Sequence, residues 1–309
     1  MGKRKIMRRE IKSKSNWTRP IVLAIGVLVG TFILNSAQAQ ELKSSLLWEV
    51  KGKGIKTSYL SGTFHLLPQD AFIMKDKVTA AFQKSEQVVL ELDMDDPNMQ
   101  MEMMQSAAMT DGTTLDKLIG EDDLKLLDEQ LMKAANIGVA QVNTFKPFMV
   151  ETFLLPTFIE GTPASYEMTF VKMALDQQKE ILGLETVKFQ TSLFDQIPYE
   201  DQVEDLVEML RDRSIMEKMF ASMISTYNEE DISELYSASE DYFSEQELEI
   251  LLHKRNQDWI PKIEEFAKDK TTFFVVGAGH LGGEQGVINL LREAGYKVKP
   301  ITKLKLASN

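Results

Sequence analysis

No cysteine occurs in the 309 residues. That excludes a disulfide framework, and any metal site must use nitrogen and oxygen ligands. Histidine is almost as scarce, with three in the chain: His65, His253 and His280. No Gly-X-Ser-X-Gly is present, and no Ser-X-X-Lys lies in a suitable context, so serine chemistry finds little support. No Gly-X-Gly-X-X-Gly opens a helix after a strand. Gly277-Ala278-Gly279 comes near it, but His280 and the spacing to Gly282-Gly283 break the dinucleotide pattern. There is no internal repeat over long stretches and no low-complexity linker between two domains.

What is present begins with a leader. Lys3, Arg4, Lys5, Arg8, Arg9, Lys12, Lys14 and Arg19 make a basic start, Ile21 to Leu34 an uncharged apolar core, and Ala37-Gln38-Ala39 a small-residue cleavage site. Residues 1–39 therefore read as a secretory signal peptide, which predicts a secreted or periplasmic protein. The rival is an uncleaved anchor, for which the apolar core is short. The leader holds eight Lys/Arg and one Glu, so the remainder carries 27 basic against 46 acidic residues, a net charge of −19. That excess argues against nucleic acid and anionic membrane surfaces as partners, and leaves a peptide or small-molecule substrate. Residues 40–309 are long enough for one sizeable α/β domain.

Along that domain the apolar periods alternate. Leu46–Val50 and Ile55–Gly62 read as a hairpin about the Lys/Gly tract 51–54. Gln87–Leu92, Glu180–Thr186 and Phe273–Val276 read as strands, the last buried on both faces. Helices are expected over 75–85, 121–135 (ended by Gly138), 146–153, 165–178, 198–228 and 244–268 (interrupted at Pro261). A further helix is expected over 284–294, with Val287, Leu290, Leu291 and Ala294 inward. The Met-rich stretch 93–110 reads as helical core or lid; copper binding is the weaker alternative. The order predicts an α/β fold: a central mixed, mostly parallel sheet with helices on both faces and a large helical insertion.

Two stretches share one pattern: Tyr59-Leu60-Ser61-Gly62-Thr63-Phe64-His65 and Val275-Val276-Gly277-Ala278-Gly279-His280. Each is strand, glycine, two residues, histidine. Glu91 and Glu185 also stand at or near strand ends. In a parallel sheet such ends lie on one edge, where ligands bind. Two imidazoles and one or two carboxylates suit Zn, Mn, Fe or Co, and a further carboxylate would serve as general base. For Glu185 the plainer reading is a cap on the next helix. For Arg255, ahead of Asn256 and Trp259, it is a surface salt bridge, against holding a substrate carboxylate or Glu91. His253 reads as a packing or surface histidine.

These residues resemble the TraB/GumN family, whose animal relatives are the TIKI proteins. The match runs through Leu47-Trp48-Glu49-Val50, Gly62-Thr63-Phe64-His65, Val89-Leu90-Glu91-Leu92-Asp93, Lys146-Pro147, Gly183-Leu184-Glu185-Thr186, Arg255-Asn256 with Trp259, and Gly277-Ala278-Gly279-His280. Phe64 stands where many relatives have Ile. The resemblance implies a fold similar to erythromycin-esterase-like and ChaN-like proteins. It implies a metal-dependent hydrolase, a peptidase in the TIKI branch, using Mn or Co, with Zn or Fe as alternatives. It marks His65, His280 and Glu91 as metal ligands, with Glu91 also a candidate base, and Arg255, Asn256 and Glu185 as further catalytic candidates. The competing readings are a periplasmic haem or iron binder of ChaN-like fold and a non-catalytic regulatory interaction domain.

Overall fold

A computed structural model describes residues 45–303; the leader read over residues 1–39 lies outside them. The chain runs β1 (Leu47–Lys51), β2 (Ser58–Thr63), β3 (Leu67–Pro68), α1 (Asp76–Lys84) and β4 (Gln87–Leu92). Next come α2 (Met99–Ser106), α3 (Leu115–Leu118), α4 (Glu121–Ala135), α5 (Val139–Val142), α6 (Pro147–Leu154), β5 (Pro163–Ala164) and α7 (Tyr166–Asp176). After β6 (Glu180–Glu185) follow α8 (Val187–Leu193), α9 (Tyr199–Arg211), α10 (Arg213–Glu229), α11 (Ile232–Tyr242), α12 (Glu245–Leu248) and α13 (Lys254–Ala267). The fold closes with β7 (Thr272–Gly277), α14 (Val287–Glu293) and β8 (Lys297–Pro300).

Six strands form one sheet in the order β6-β4-β7-β2-β1-β8. The first four are mutually parallel, and β1 is antiparallel to both β2 and β8. β2 and β7 lie in the middle and every residue in them is buried. That is why they read as unbroken apolar or small-residue runs, with no polar face to alternate. Successive side chains of β7 point to opposite faces. Phe273 meets Phe82 of α1 and Phe170 of α7, with ring centres 5.4 and 5.1 Å away. Thr272, one residue away, bonds the Phe266 carbonyl of α13 on the other face. Helices therefore cover both faces, as the α/β reading requires.

A second apolar cluster lies among the helices themselves, with Leu127 and Leu131 of α4, Val150 and Leu154 of α6, and Leu206 of α9 at its centre. Phe64 packs against this cluster and against the sheet core. It lies 6.3 Å from Phe220 and 5.7 Å from Tyr227 between ring centres. The bulky residue in the first histidine motif thus ties the sheet edge to the helical insertion. Glu230 closes α10 in the left-handed region (φ 61°). Its buried carboxylate accepts from Lys75 at 2.6 Å, from Lys77, and from the Leu46 amide at 3.1 Å.

Five local expectations change. α4 ends at Asn136 rather than Gly138, because Asn136 takes the left-handed conformation (φ 54°) that stops a helix. The region 198–228 is two helices, parted at Asp212, whose side chain accepts the Ser214 amide. Pro261 does not interrupt its helix: it lies on the exposed face of α13, and Gln257, whose carbonyl loses its partner, is also exposed. The irregularity comes earlier, as a π turn over Glu249–His253. α14 begins only at Val287 and buries Val287, Ile288 and Leu291, leaving Ala294 exposed. Last, α2 is helical but none of its residues is buried, and Met101 and Met104 face solvent, so it is not core. Among the described residues no helix is long and apolar enough to cross a membrane.

Candidate active site

The parallel strands β2, β4, β6 and β7 end on one edge, and there the ladder opens. β2 stays paired with β7 up to Thr63–Gly277, and β4 with β6 up to Leu92–Glu185. Between β4 and β7 pairing stops at Val89–Phe274. In that gap Glu91 does what the strand no longer does: its Oε1 accepts the Gly277 N–H at 2.7 Å. A crevice at the carboxyl ends of parallel strands is where an open α/β sheet offers a site.

Arg255 reaches the crevice from α13 and is buried. Its Nε lies 3.0 and 3.2 Å from the two Glu185 oxygens. Nη2 donates to Glu91 Oε2 at 2.6 Å and Glu185 Oε2 at 2.9 Å. Nη1 donates to the Leu251 carbonyl in the π turn at 2.9 Å and to His280 Nε2 at 3.2 Å. All five N–H groups of the guanidinium have acceptors, so this is a buried hub and not a surface salt bridge. Glu185 does not cap α8, since Thr186 does that. The Glu185 carboxylate is buried against Arg255 and also takes the Trp259 indole N–H at 2.9 Å. Gln190 of α8 bridges the two carboxylates, 3.1 Å from Glu91 and 3.3 Å from Glu185.

The two histidines are held alike at one nitrogen. His280 Nδ1 lies 2.6 Å from Asn256 Oδ1. Asn256 Nδ2 donates to the Gln285 carbonyl, which fixes the amide orientation, so Nδ1 carries the proton and Nε2 the lone pair. His65 Nδ1 lies 2.8 Å from Glu167 Oε1. Exposure separates them: the His65 side chain is 66% accessible and that of His280 6%.

The charges follow from this packing. Burial, then the neighbouring Arg255 charge, push His280 down to about 3, leaving it neutral. For Glu91 burial opposes the charge, but Arg255, the two imidazoles and the Gly277 amide outweigh it and hold the carboxyl well below the usual range. His65 has dense protein behind a water-facing ring. The cost of crowding its charge is exceeded by the Glu167 carboxylate and its hydrogen bond, which raise it to about 9.

These groups converge on Gly277. A Cβ added there would lie 3.2 Å from His65 Nε2, 3.4 Å from Glu91 Oε1 and 3.5 Å from His280 Cδ2. Only glycine leaves that point open. In kind, the donors suit a divalent ion: two imidazoles tied at Nδ1 and one carboxylate. Among the described residues no group of three His, Cys, Asp or Glu is drawn together tightly enough to hold a metal ion. His280 Nε2 and Glu91 Oε1 stand 4.0 Å apart, whereas two donors on a tetrahedral ion at about 2.1 Å lie about 3.4 Å apart. The donor set fits in kind; for this one pair an ion requires closure by about half an ångström and release of the His280 Nε2 lone pair from Arg255 Nη1.

His65, Glu91, Glu185, Arg255, Asn256 and His280 are thus brought into one network. His253 joins a different one, 3.0 Å from the Tyr236 hydroxyl and 3.3 Å from Glu249. Glu167 and Gln190 are additions that sequence reasoning did not single out. Glu167 lies in the first turn of α7, where an acidic residue is ordinary, so nothing marked it.

The model of the TraB/PrgY/gumN family matches residues 46–300. No curated protein and no solved structure matches the chain, and the likeness to erythromycin-esterase-like and ChaN-like folds rests on the motifs alone.

Proposed function

The chain belongs to the TraB/PrgY/gumN family, and from that premise we propose that it is a metal-dependent hydrolase of peptide bonds in which His65, His280 and Glu91 would hold the ion. The observation that carries the reading is the ring of His65, Glu91 and His280 about the open point at Gly277. Such an ion supplies Lewis acidity toward a carbonyl and toward water. Manganese or cobalt follow from the family resemblance, and zinc or iron suit the same nitrogen and oxygen donors.

The other residues position this centre. Asn256 keeps the His280 proton on Nδ1. Glu185 and Trp259 fix the plane of Arg255, and Arg255 with Gln190 fixes Glu91. Two Arg255 donors end on candidate ligands, Nη1 on His280 Nε2 and Nη2 on Glu91 Oε2. An ion that took the His280 lone pair would release the Nη1 donor to face negative charge developing on a substrate oxygen. His65 forms the open wall, so a substrate reaches the crevice from that side. The leader sequence supports work outside the cytoplasm.

The test compares wild type with His65→Ala. The exposed ring can be removed without emptying the core. Bound metal after equilibration with manganese, cobalt or zinc, and hydrolysis of a mixed peptide library, should both fall at least about tenfold. Equal metal content and equal cleavage in the two proteins would overturn the proposal.

A further inference from the structure

We propose that Glu167 is a positioning residue of this site, selecting by hydrogen bonding which nitrogen His65 presents to the point at Gly277; the inference rests on reading His65 as a ligand. An imidazole that is mostly water-exposed has no packing to set its rotamer or tautomer. The His65 ring is fixed instead by one bond, Nδ1 to Glu167 Oε1 at 2.8 Å. With Nδ1–H donated to the carboxylate, Nε2 is the nitrogen aimed at the crevice, and it offers its lone pair once an arriving ion displaces its proton.

Glu167 is built to hold still. Its side chain is 12% exposed. Oε1 also accepts from Thr63 Oγ1 at 2.5 Å, and Oε2 from Ser165 Oγ at 2.9 Å. Ser165 is the residue that caps α7, so the carboxylate is docked on the first turn of that helix, where the backbone favours negative charge. Thr63 lies in β2 opposite Gly277 and 3.0 Å from the Val276 carbonyl. The orienting group is thereby referenced to the same strand pair that sets the crevice. His280 has a neutral orienter, Asn256, and His65 a charged one, which also raises the basicity of its ring as a ligand.

The experiment uses Mn²⁺ alone as probe, in titration calorimetry on wild type, His65→Ala, Glu167→Ala and Glu167→Asp, each checked for fold by circular dichroism. Glu167→Ala should weaken Mn²⁺ binding about 10–100-fold, with Glu167→Asp between it and wild type. Ring ¹⁵N spectra of the metal-free proteins, simple because the chain has three histidines and recorded above the His65 value of about 9 so that the ring is neutral, should show His65 protonated at Nδ1 in wild type and as mixed tautomers in Glu167→Ala. A merely structural role would lower stability without changing that ring signature. If His65→Ala loses Mn²⁺ while folded Glu167→Ala binds it as wild type does, the inference about Glu167 fails and the ligand reading stands. If His65→Ala binds like wild type, the ligand reading itself fails. Should Glu167→Ala not fold, wild-type affinity in Glu167→Asp overturns the inference.

Discussion

His280 Nδ1 and Asn256 Oδ1 are 2.6 Å apart, and this bond decides which nitrogen of a buried ring meets the crevice. Asn256→Ala removes the acceptor and frees the tautomer. The expected result is a fall of about 10–100-fold in metal affinity, with a matching fall in kcat for peptide hydrolysis. Calorimetry and steady-state kinetics check it. Unchanged values in both would mean that Asn256 serves only the loop at Gln285.

Gly277→Ala tests the open point directly. The backbone there has φ −55°, which any residue adopts, so the fold should be retained to within about 1 kcal/mol. The new methyl would stand 3.2 Å from His65 Nε2 and 3.4 Å from Glu91 Oε1, in the space an ion needs. Metal binding should be lost while the urea midpoint barely moves. A variant that still binds metal would place the ion elsewhere.

β8, with Lys297 and Lys299 in four residues, was not read as a strand, whereas β4, β6 and β7 were legible because each holds an apolar run closed by glycine or a carboxylate. The repeated Gly-X-X-His stood out for the same reason. Arg255 was harder to read, since burial of an arginine depends on two carboxylates that approach from β4 and β6. Glu167 left no trace at all: it lies 102 residues from His65 and resembles any acidic helix start. The π turn was likewise invisible and was displaced in the reading onto Pro261, because proline signals a break whether or not its face is exposed.

Glu230→Gln should destabilise the protein. The carboxylate joins Lys75, Lys77 and the Leu46 amide, tying α1, α10 and the start of β1. Removing its charge leaves Lys77 buried without its partner, a loss of about 3 kcal/mol for a pair of this kind. Urea unfolding at neutral pH measures it. A change below about 0.5 kcal/mol would show that water reaches the cluster.

Stability should also fall on the alkaline side through Glu151. Burial first, and the charge of Asp205 second, raise this carboxyl to about 8 from an ordinary 4.5. The folded value exceeds the unfolded one, so this group's contribution is complete below the ordinary value and is lost as pH rises through about 8. Glu151→Gln should therefore match wild type near about pH 4 and exceed it in urea midpoint near about pH 9. Parallel pH curves for the two proteins would contradict this.

Gly62 packs so closely on the second histidine motif that a Cβ there would meet the Ala278 backbone at 3.2 Å and Leu281 at 2.6 Å. The two loops are thus bolted to adjacent strands, and their gap is one strand repeat, about 4.8 Å. The sheet itself sets the gauge of the crevice. The spacing of the two histidine motifs is thus a property of the backbone, and a bulkier residue at position 62 would be felt in the loop that carries His280.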